Sequence, residues 1–339
     1  MVNIKEVAAR AGVSPSTVSR ALSGKVTVNL ETRQRVLAAV QELNYKPNVL
    51  AQGLKEGRSK TIGLFIPNIR ILVFPAAIKG ITDVAEKHGY TVVLCNTDEN
   101  LETERFYVDN LCRRLVDGLI FSTATAASSH IIKLKEQGYP IVLLIRYLND
   151  EIDTIMVDNF KGGFEATEFL LNRGYRRIAM VNGTMELDLY RQRFAGYQAA
   201  LREYGVEYDE GLVVHGTRAW EEGYRAMHEI WRRGRRPEAV FGASDPKALG
   251  VMKAVKERGL RVPEDVAVIG YDNLEMSELS DPPLTTMAQP FYEAGARAAE
   301  RLIELMDGER GDREAAIERL PPKLHIRRSV GCPRKADTV

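Results

Sequence analysis

Apolar residues near the start of the chain recur every three or four positions. Ile4, Val7, Ala8 and Ala11 share one face of a helix that Asn3 opens as N-cap, with Glu6 three residues later, and that Gly12 ends. A second helix is predicted at once, with Ser14 as cap, Pro15 at its first position, and Val18, Ala21 and Leu22 continuing the stripe. Asn29 caps a third, whose Val36, Val40 and Leu43 face inward. Two short helices joined by a tight Gly-containing turn make a helix-turn-helix, although spacing alone fits any small helical bundle.

The period then changes. Residues 48–56 have helical character interrupted by Gly53. A helix of that length is below the roughly 12–15 residues needed for marginal stability in water, so alone it is expected to be disordered. From Thr61 onward, short β-branched runs alternate with amphipathic helical patterns: 62–66, 91–95, 118–121 and 141–145, then 178–181, 212–214, 239–241 and 266–269. Such alternation means βαβ units and parallel sheets, and its repetition predicts an α/β body of two doubly wound lobes.

The 339 residues carry +1 net charge overall, which alone argues against a nucleic-acid partner. The distribution reverses that. Residues 1–60 hold ten basic and four acidic side chains, a surplus of six, leaving the remainder at −5. Hydrophobic residues at 45% and charged residues at 27% fit a folded globular protein, and the longest apolar runs are too short for a membrane span. With a helix pattern where a signal peptide would lie, a cytoplasmic protein is expected. Cys95, Cys112 and Cys332 are odd in number and lack metal-ligand spacing, so neither a disulfide framework nor a zinc site is expected.

The outward face of the second helix carries Ser16, Thr17, Ser19 and Arg20. Arg20 can bond a guanine bidentately, while the hydroxyls and the helix N-terminus suit phosphate oxygens. The run from Ile4 to Ala8, the run from Gly12 to Leu22 (GVSPSTVSRAL) and Leu43-Asn44-Tyr45-Lys46-Pro47-Asn48 together resemble the lactose-repressor (LacI/GalR) family. Further on, Val262-Pro263-Glu264-Asp265-Val266, Gly270-Tyr271-Asp272 and Pro283-Leu284-Thr285-Thr286 resemble that family's sensor domain. The resemblance implies a helix-turn-helix domain over 1–46, a hinge over 47–60, and a two-lobed sensor over 61–339 with the fold of periplasmic sugar-binding proteins. It also implies that the hinge folds when two copies meet on DNA, with Leu54 wedged into the minor groove. Without the resemblance, a solvated linker is the simpler reading of that segment. The expected DNA-facing residues are Ser14, Pro15, Ser16, Thr17, Ser19, Arg20, Asn29, Tyr45, Asn48, Ala51, Leu54 and Lys55.

In such a fold a ligand lies between the lobes, outside the carboxyl ends of the strands. Polar groups just after strands are the candidates, and Asp272, Asp245, Arg193 and Arg146 meet that rule. The resemblance implies ligand contact for Arg193 and Asp272, and an aromatic platform at Trp220, with Phe74 on the opposite wall. Asp158 joins this set. Interlobe ion pairs for the charged groups and core filling for the aromatics are the alternatives. Where relatives carry Asn-Pro-aromatic-aromatic, this chain has Leu72-Val73-Phe74-Pro75, which alters one wall of the pocket. The basic cluster Arg232, Arg233, Arg235 and Arg236 is explained by a helix C-terminus and solvation.

The expected function is a transcription regulator, a repressor in the first reading, whose affinity for a palindromic operator is controlled by a small molecule. A sugar or sugar derivative suits carboxylate and Arg hydrogen bonds around an aromatic platform. A purine sandwiched by Trp220 and Phe74, or control by a protein co-regulator, are the alternatives. An enzyme is disfavoured, because the chain has no phosphate-binding glycine loop, no Gly-x-Ser-x-Gly elbow and no His-Glu-x-x-His pair. No cofactor or metal is expected. A homodimer is expected, since one helix-turn-helix reaches one half-site and the tail after Val330 has no leucine heptads.

Overall fold

The computed structural model describes residues 2–23, 28–45, 58–113, 116–216, 220–308 and 315–332. They form two compact units, Met1–Ser59 and Lys60–Val339.

The first unit is three helices, α1 (Ile4–Ala11), α2 (Pro15–Ser23) and α3 (Leu30–Glu42). Asn3 Oδ1 accepts from the N–H groups of Lys5 and Glu6, while its own Nδ2 donates to Glu6 Oε1 at 2.7 Å, a reciprocal cap. Gly12, at φ 65°, ends α1 in the left-handed conformation that favours glycine. Val7, Ala8, Ala11, Val18, Ala21, Val36 and Ala39 are buried together, with Ile4, Leu22, Val40 and Leu43 half-buried around them. The periodicity therefore names the core except for Ala39, and the half-buried members it named are those nearest the helix ends.

The second unit holds two six-stranded sheets. One contains β1 (Thr61–Ile66), β2 (Thr91–Asn96), β3 (Gly118–Phe121), β4 (Ile141–Leu144), β5 (Asp153–Val157) and β11 (Ile317–Leu320), all parallel, in the order β11-β5-β4-β3-β1-β2. The other contains β6 (Ile178–Asn182), β7 (Val213–His215), β8 (Ala239–Gly242), β9 (Ala267–Asp272), β10 (Thr285–Ala288) and β12 (Lys323–His325) in the order β12-β10-β9-β8-β6-β7. Only β12, on the edge, runs antiparallel. Four strands were not expected from the sequence. β5, β10 and β11 contain Asp, Thr, Glu or Arg, and β12 is three residues long. Leu212, expected at the start of β7, ends a 3-10 turn just before it.

Helices α4 (Phe74–Lys87), α5 (Leu101–Arg113), α6 (Ser129–Glu136) and α12 (Phe291–Met306) belong to the first lobe. Helices α7 (Asn159–Asn172), α8 (Asp188–Glu203), α9 (Trp220–Arg232), α10 (Asp245–Glu257) and the short α11 (Glu275–Leu279) belong to the second. The chain thus crosses between lobes three times: at Asp158, at Gln289–Pro290 and at Pro321–Pro322. Each crossing is one or two residues long and begins at a strand's carboxyl end. At no more than about 3.6 Å of reach per residue, the carboxyl ends of both sheets must lie beside the crossings. Helix α12, the last long helix, returns to the first lobe, burying Ala294, Ala298, Ala299 and Leu302 there. Arg301 on α12 bonds the fully buried Asp153 of β5 through Nε at 2.9 Å and Nη2 at 2.8 Å.

Two glycine-mediated crossings hold the helices that carry the candidate site. A Cβ at Gly163 of α7 would overlap the Arg193 backbone of α8, and one at Gly196 would overlap α7 in return. Likewise Gly223 of α9 sits on the Lys247 backbone of α10, and Gly250 of α10 on the Trp220 carbonyl. Glycine is required at such approaches because any side chain would push the helices apart.

Candidate functional site

On α2, Ser14 Oγ accepts the Thr17 N–H at 3.2 Å and lies 2.8 Å from Ser16 Oγ and 2.9 Å from Thr17 Oγ1. Ser14, Pro15, Ser16 and Arg20 are exposed, Thr17 and Ser19 are half-buried, and Val18 and Ala21 point the other way into the core. Arg20 Nε reaches the Ser16 carbonyl at 3.4 Å, so the guanidinium lies along the outward face. The result is a strip of hydroxyls ending in one planar cation. Asn29 Oδ1 is committed to the Glu31 N–H as the cap of α3, and Tyr45 packs at the edge of the core. Asn48, Ala51, Leu54 and Lys55 lie outside the described residues, as does nearly all of the expected hinge.

At the crossings, Arg193 is the organising side chain. It is 4% exposed, donates through Nε to Asn159 Oδ1 at 2.8 Å and through Nη1 to the Ala243 carbonyl at 2.6 Å, and stacks 3.7 Å above the Tyr271 ring. It therefore joins the start of α7, the end of β8 and the end of β9. Asp272 ends β9 and accepts from Gln289 Nε2 of the second crossing at 2.6 Å. Burial pushes its carboxyl up to about 7, against the pull of the Arg193 charge. Asp158, in the first crossing, caps α7 by accepting the Lys161 N–H at 2.9 Å, and its own N–H donates to the Leu320 carbonyl before the third.

Other expected residues occupy different positions. Asp245 is fully buried at the start of α10, where its carboxylate accepts from Leu274 N–H, Ser277 Oγ and Thr286 Oγ1 at 2.7, 2.5 and 2.5 Å. Burial raises its pKa while these donors oppose the rise. Phe74, at the start of α4, is 4% exposed within the apolar core of the first lobe. Pro75 falls in the first turn of that helix. Arg146 makes a bidentate pair with Glu99, Nη2 to Oε1 at 2.6 Å and Nη1 to Oε2 at 3.1 Å, and reaches the Thr123 carbonyl at 3.0 Å. Trp220 opens α9 at 46% exposure.

Backbone strain and unmet hydrogen bonding occur at these ends, though not only there. Among the described residues outside glycine, left-handed φ values are found at Asp98 and Glu99 after β2, at Ile145 after β4 and at Asp272 and Asn273 at the end of β9, and also at Asn44 and Lys60 away from them. For β-branched Ile145, at φ 68°, the strain is marked, and it aims the following Arg146. Ser122 Oγ and Thr123 Oγ1 after β3, and Asn182 Oδ1 at the end of β6, are buried without a hydrogen-bond partner. Groups of this kind, next to two lobes' strand ends, are what a ligand rich in hydroxyls would satisfy.

Comparison with known proteins decides the family. Residues 3–48 match the model of bacterial regulatory proteins of the lacI family, and residues 167–330 match that of the periplasmic binding protein-like domain. The HTH-type transcriptional repressor PurR of Pectobacterium carotovorum is 37% identical over 333 residues, spanning 97% of each chain. The chain belongs to the lacI family of bacterial regulatory proteins. This lacI-family regulator also superposes on the lac repressor dimer bound to operator and the anti-inducer ONPF, with a TM-score of 0.88 at 29% identity over 97% of this chain and 98% of that one. The complex of the transcriptional regulator CelR with cellobiose gives a TM-score of 0.75 at 31% identity, over 97% and 100%. It is accordingly a DNA-binding transcription repressor by family.

For the lacI-family sensor, sequence reasoning missed Asn159 and Gln289, which orient Arg193 and Asp272, and the buried Asn182, Tyr190 and Lys247. Asn159 follows β5, a strand that was not expected from the sequence, and Lys247 stands two residues after Asp245 at a predicted strand-to-helix turn, a position that does not by itself tell burial from solvation.

Proposed function

We propose that the regulator binds an inverted-repeat operator as a homodimer through the α2 face of Ser14 to Arg20, and that a hydroxyl-rich small molecule between its lobes sets the operator affinity. The observation that carries this reading is the Arg193–Asp272 wall at the crossings, where these two buried groups hold Asn159 beside the first crossing and Gln289 in the second, segments that any relative motion of the lobes must bend. Arg193, Asp272 and Trp220 are the effector contacts, with Arg146 and Asp158 at the rim. Asp245 and Phe74 are left out of the contact set, since the carboxylate of one is fully engaged and the ring of the other is in the core of the first lobe. A sugar is favoured over a flat purine because Phe74 does not stand opposite Trp220 as the second face of a sandwich, and because the CelR relative is a cellobiose complex.

The protein is read as a cytoplasmic regulator and not an enzyme because the relatives it matches along nearly its whole length are named as transcriptional repressors. Among the described residues no cluster could hold a metal ion, and no helix is long and apolar enough to cross a membrane. Selection from a random pool of duplex DNA tests the operator half of the reading. An enriched inverted repeat is expected, and enrichment of a single asymmetric site would contradict it.

A further inference from the structure

Lys60, the first residue of the second unit, has a φ of 54°, a conformation that glycine adopts freely and lysine seldom. In a regular strand the N–H and the carbonyl of one residue face the same neighbouring strand. At Lys60 they divide. Its carbonyl accepts from the N–H of Thr91, which opens β2, at 2.8 Å, and its N–H donates to Oδ2 of Asp117, the residue before β3, at 2.9 Å. β2 and β3 flank β1 on opposite sides, and the Asp117 N–H returns a bond to the Thr61 carbonyl at 2.9 Å. The left-handed turn thus pins the entry to β1 from both neighbours.

Glycine would serve that turn at less strain. What lysine adds is an ammonium, which lies 4.2 Å from the centroid of the Tyr90 ring. That ring is buried in the apolar core of the first lobe, and its hydroxyl has no hydrogen-bond partner, so packing is what holds it. The Tyr90 N–H donates to the Ala85 carbonyl of α4 at 2.8 Å, which ties the ring to the end of that helix. Helix α4 is about 21 Å long at 1.5 Å per residue, and it runs from beyond the carboxyl end of β1 back to this junction. A Cβ at Gly80 of α4 would overlap the Tyr292 carbonyl of α12, and one at Gly295 of α12 would overlap the Ala77 carbonyl of α4, so no side-chain layer separates the two helices. Helix α12 in turn starts directly after the second crossing, whose Gln289 is bonded to Asp272. Residues 47–59 are the covalent path to the operator-binding unit, and they join the sensor at Lys60.

We propose that Lys60 is a positioning residue for operator binding: clasped to Tyr90 and Asp117, it restricts the directions in which residues 47–59 leave the sensor, and so sets the separation at which two copies of the chain present their α2 faces. This rests on the reading of the regulator as a homodimer on an inverted repeat. Narrowing the directions open to each tether raises the effective concentration of the second module at the second half-site, without any new contact to DNA.

The test is competition binding of the full chain to duplexes that carry the selected inverted repeat at its native spacing, to the same repeat with base pairs added or removed between the half-sites, and to a single half-site. Wild type should bind the native spacing best and fall away steeply on either side. Lys60→Gly suits the left-handed φ but has no ammonium. A cation–π contact that keeps some solvent is worth roughly two- to fivefold and a dimer has two, so Lys60→Gly should bind the native spacing roughly four- to twenty-five-fold more weakly. It should fall away less on either side, match wild type on the single half-site, and melt at the wild-type temperature. Lys60→Arg, whose guanidinium also sits on a ring face, should keep the wild-type profile. A Lys60→Gly profile identical to wild type overturns the proposal, as does a loss that is equal at every spacing and on the half-site, which would make Lys60 a direct DNA contact. A Lys60→Gly protein that melts well below wild type overturns it too, by making the lysine a brace of β1, and so does a Lys60→Arg protein that behaves like Lys60→Gly. Wild type that binds every spacing equally overturns the paired half-site reading, and this proposal with it.

Discussion

Arg20 and Asp272 show how far a single side chain can be argued. Arg20 is exposed and held along α2 by the Ser16 carbonyl, so a bidentate approach to a base edge needs little rearrangement. Arg20→Ala is expected to weaken operator binding by about 1–3 kcal/mol per half-site and to relax base preference at one symmetric position. Competition assays on operator variants check this, and a uniform loss across all sequences would make Arg20 a phosphate contact instead. Asp272 makes a pH prediction. Burial raises its carboxyl from the ordinary 3.8 to about 7, so the folded state binds that proton more tightly than the unfolded chain. The folded state then loses stability as pH rises from about 4 to about 7, and the loss is complete above that window. Asp272→Asn removes this cost. Its ligand-free melting temperature should exceed that of wild type near pH 8 and approach it near pH 5, whereas parallel curves would show that the carboxyl titrates normally. The position of Asp272 was legible because it ends an apolar run. The burial of Lys247 was not, since nothing local to a lysine at a helix start tells burial from solvation.

At the scale of elements, caps and periodicity were the readable signals. Asn3, Ser14 and Asn29 each take the backbone N–H expected of them, and the 118–121 run is β3 to the residue. What could not be read is what depends on distant partners. β11 pairs with β5 although more than 150 residues separate them in sequence, and the Ile-Glu-Arg-Leu of β11 has no strand pattern of its own. The glycine crossings belong to the same class. They yield a prediction in which position matters: Gly163→Ala and Gly223→Ala each place a methyl group on the facing helix backbone and should cost about 1–3 kcal/mol in chemical denaturation. Gly223→Ala also displaces the first turn that carries Trp220, so it should weaken effector binding in the surviving folded protein. Unchanged stability in both variants would mean that the helices separate without penalty.

For the whole molecule, two doubly wound lobes were foreseeable from the alternation of patterns, but the interleaving of the chain was visible only in part. Three short crossings share the bending between lobes, and Asp158, Gln289 and Leu320 tie them to one another or to the effector wall. Ligand can bias closure about them only through its difference in affinity for the open and closed states. Paired half-sites require paired modules, so sedimentation equilibrium should give twice the chain mass at micromolar concentration, and a monomer or stable tetramer there would be inconsistent with the account. The central claim is that the Arg193–Asp272 wall couples effector to operator. Its most direct test is titration of labelled operator with wild type and Arg193→Ala, each with and without effector. Wild type should shift its operator affinity on adding effector, and Arg193→Ala should give a single affinity in both conditions. A normal effector response in Arg193→Ala would contradict the account.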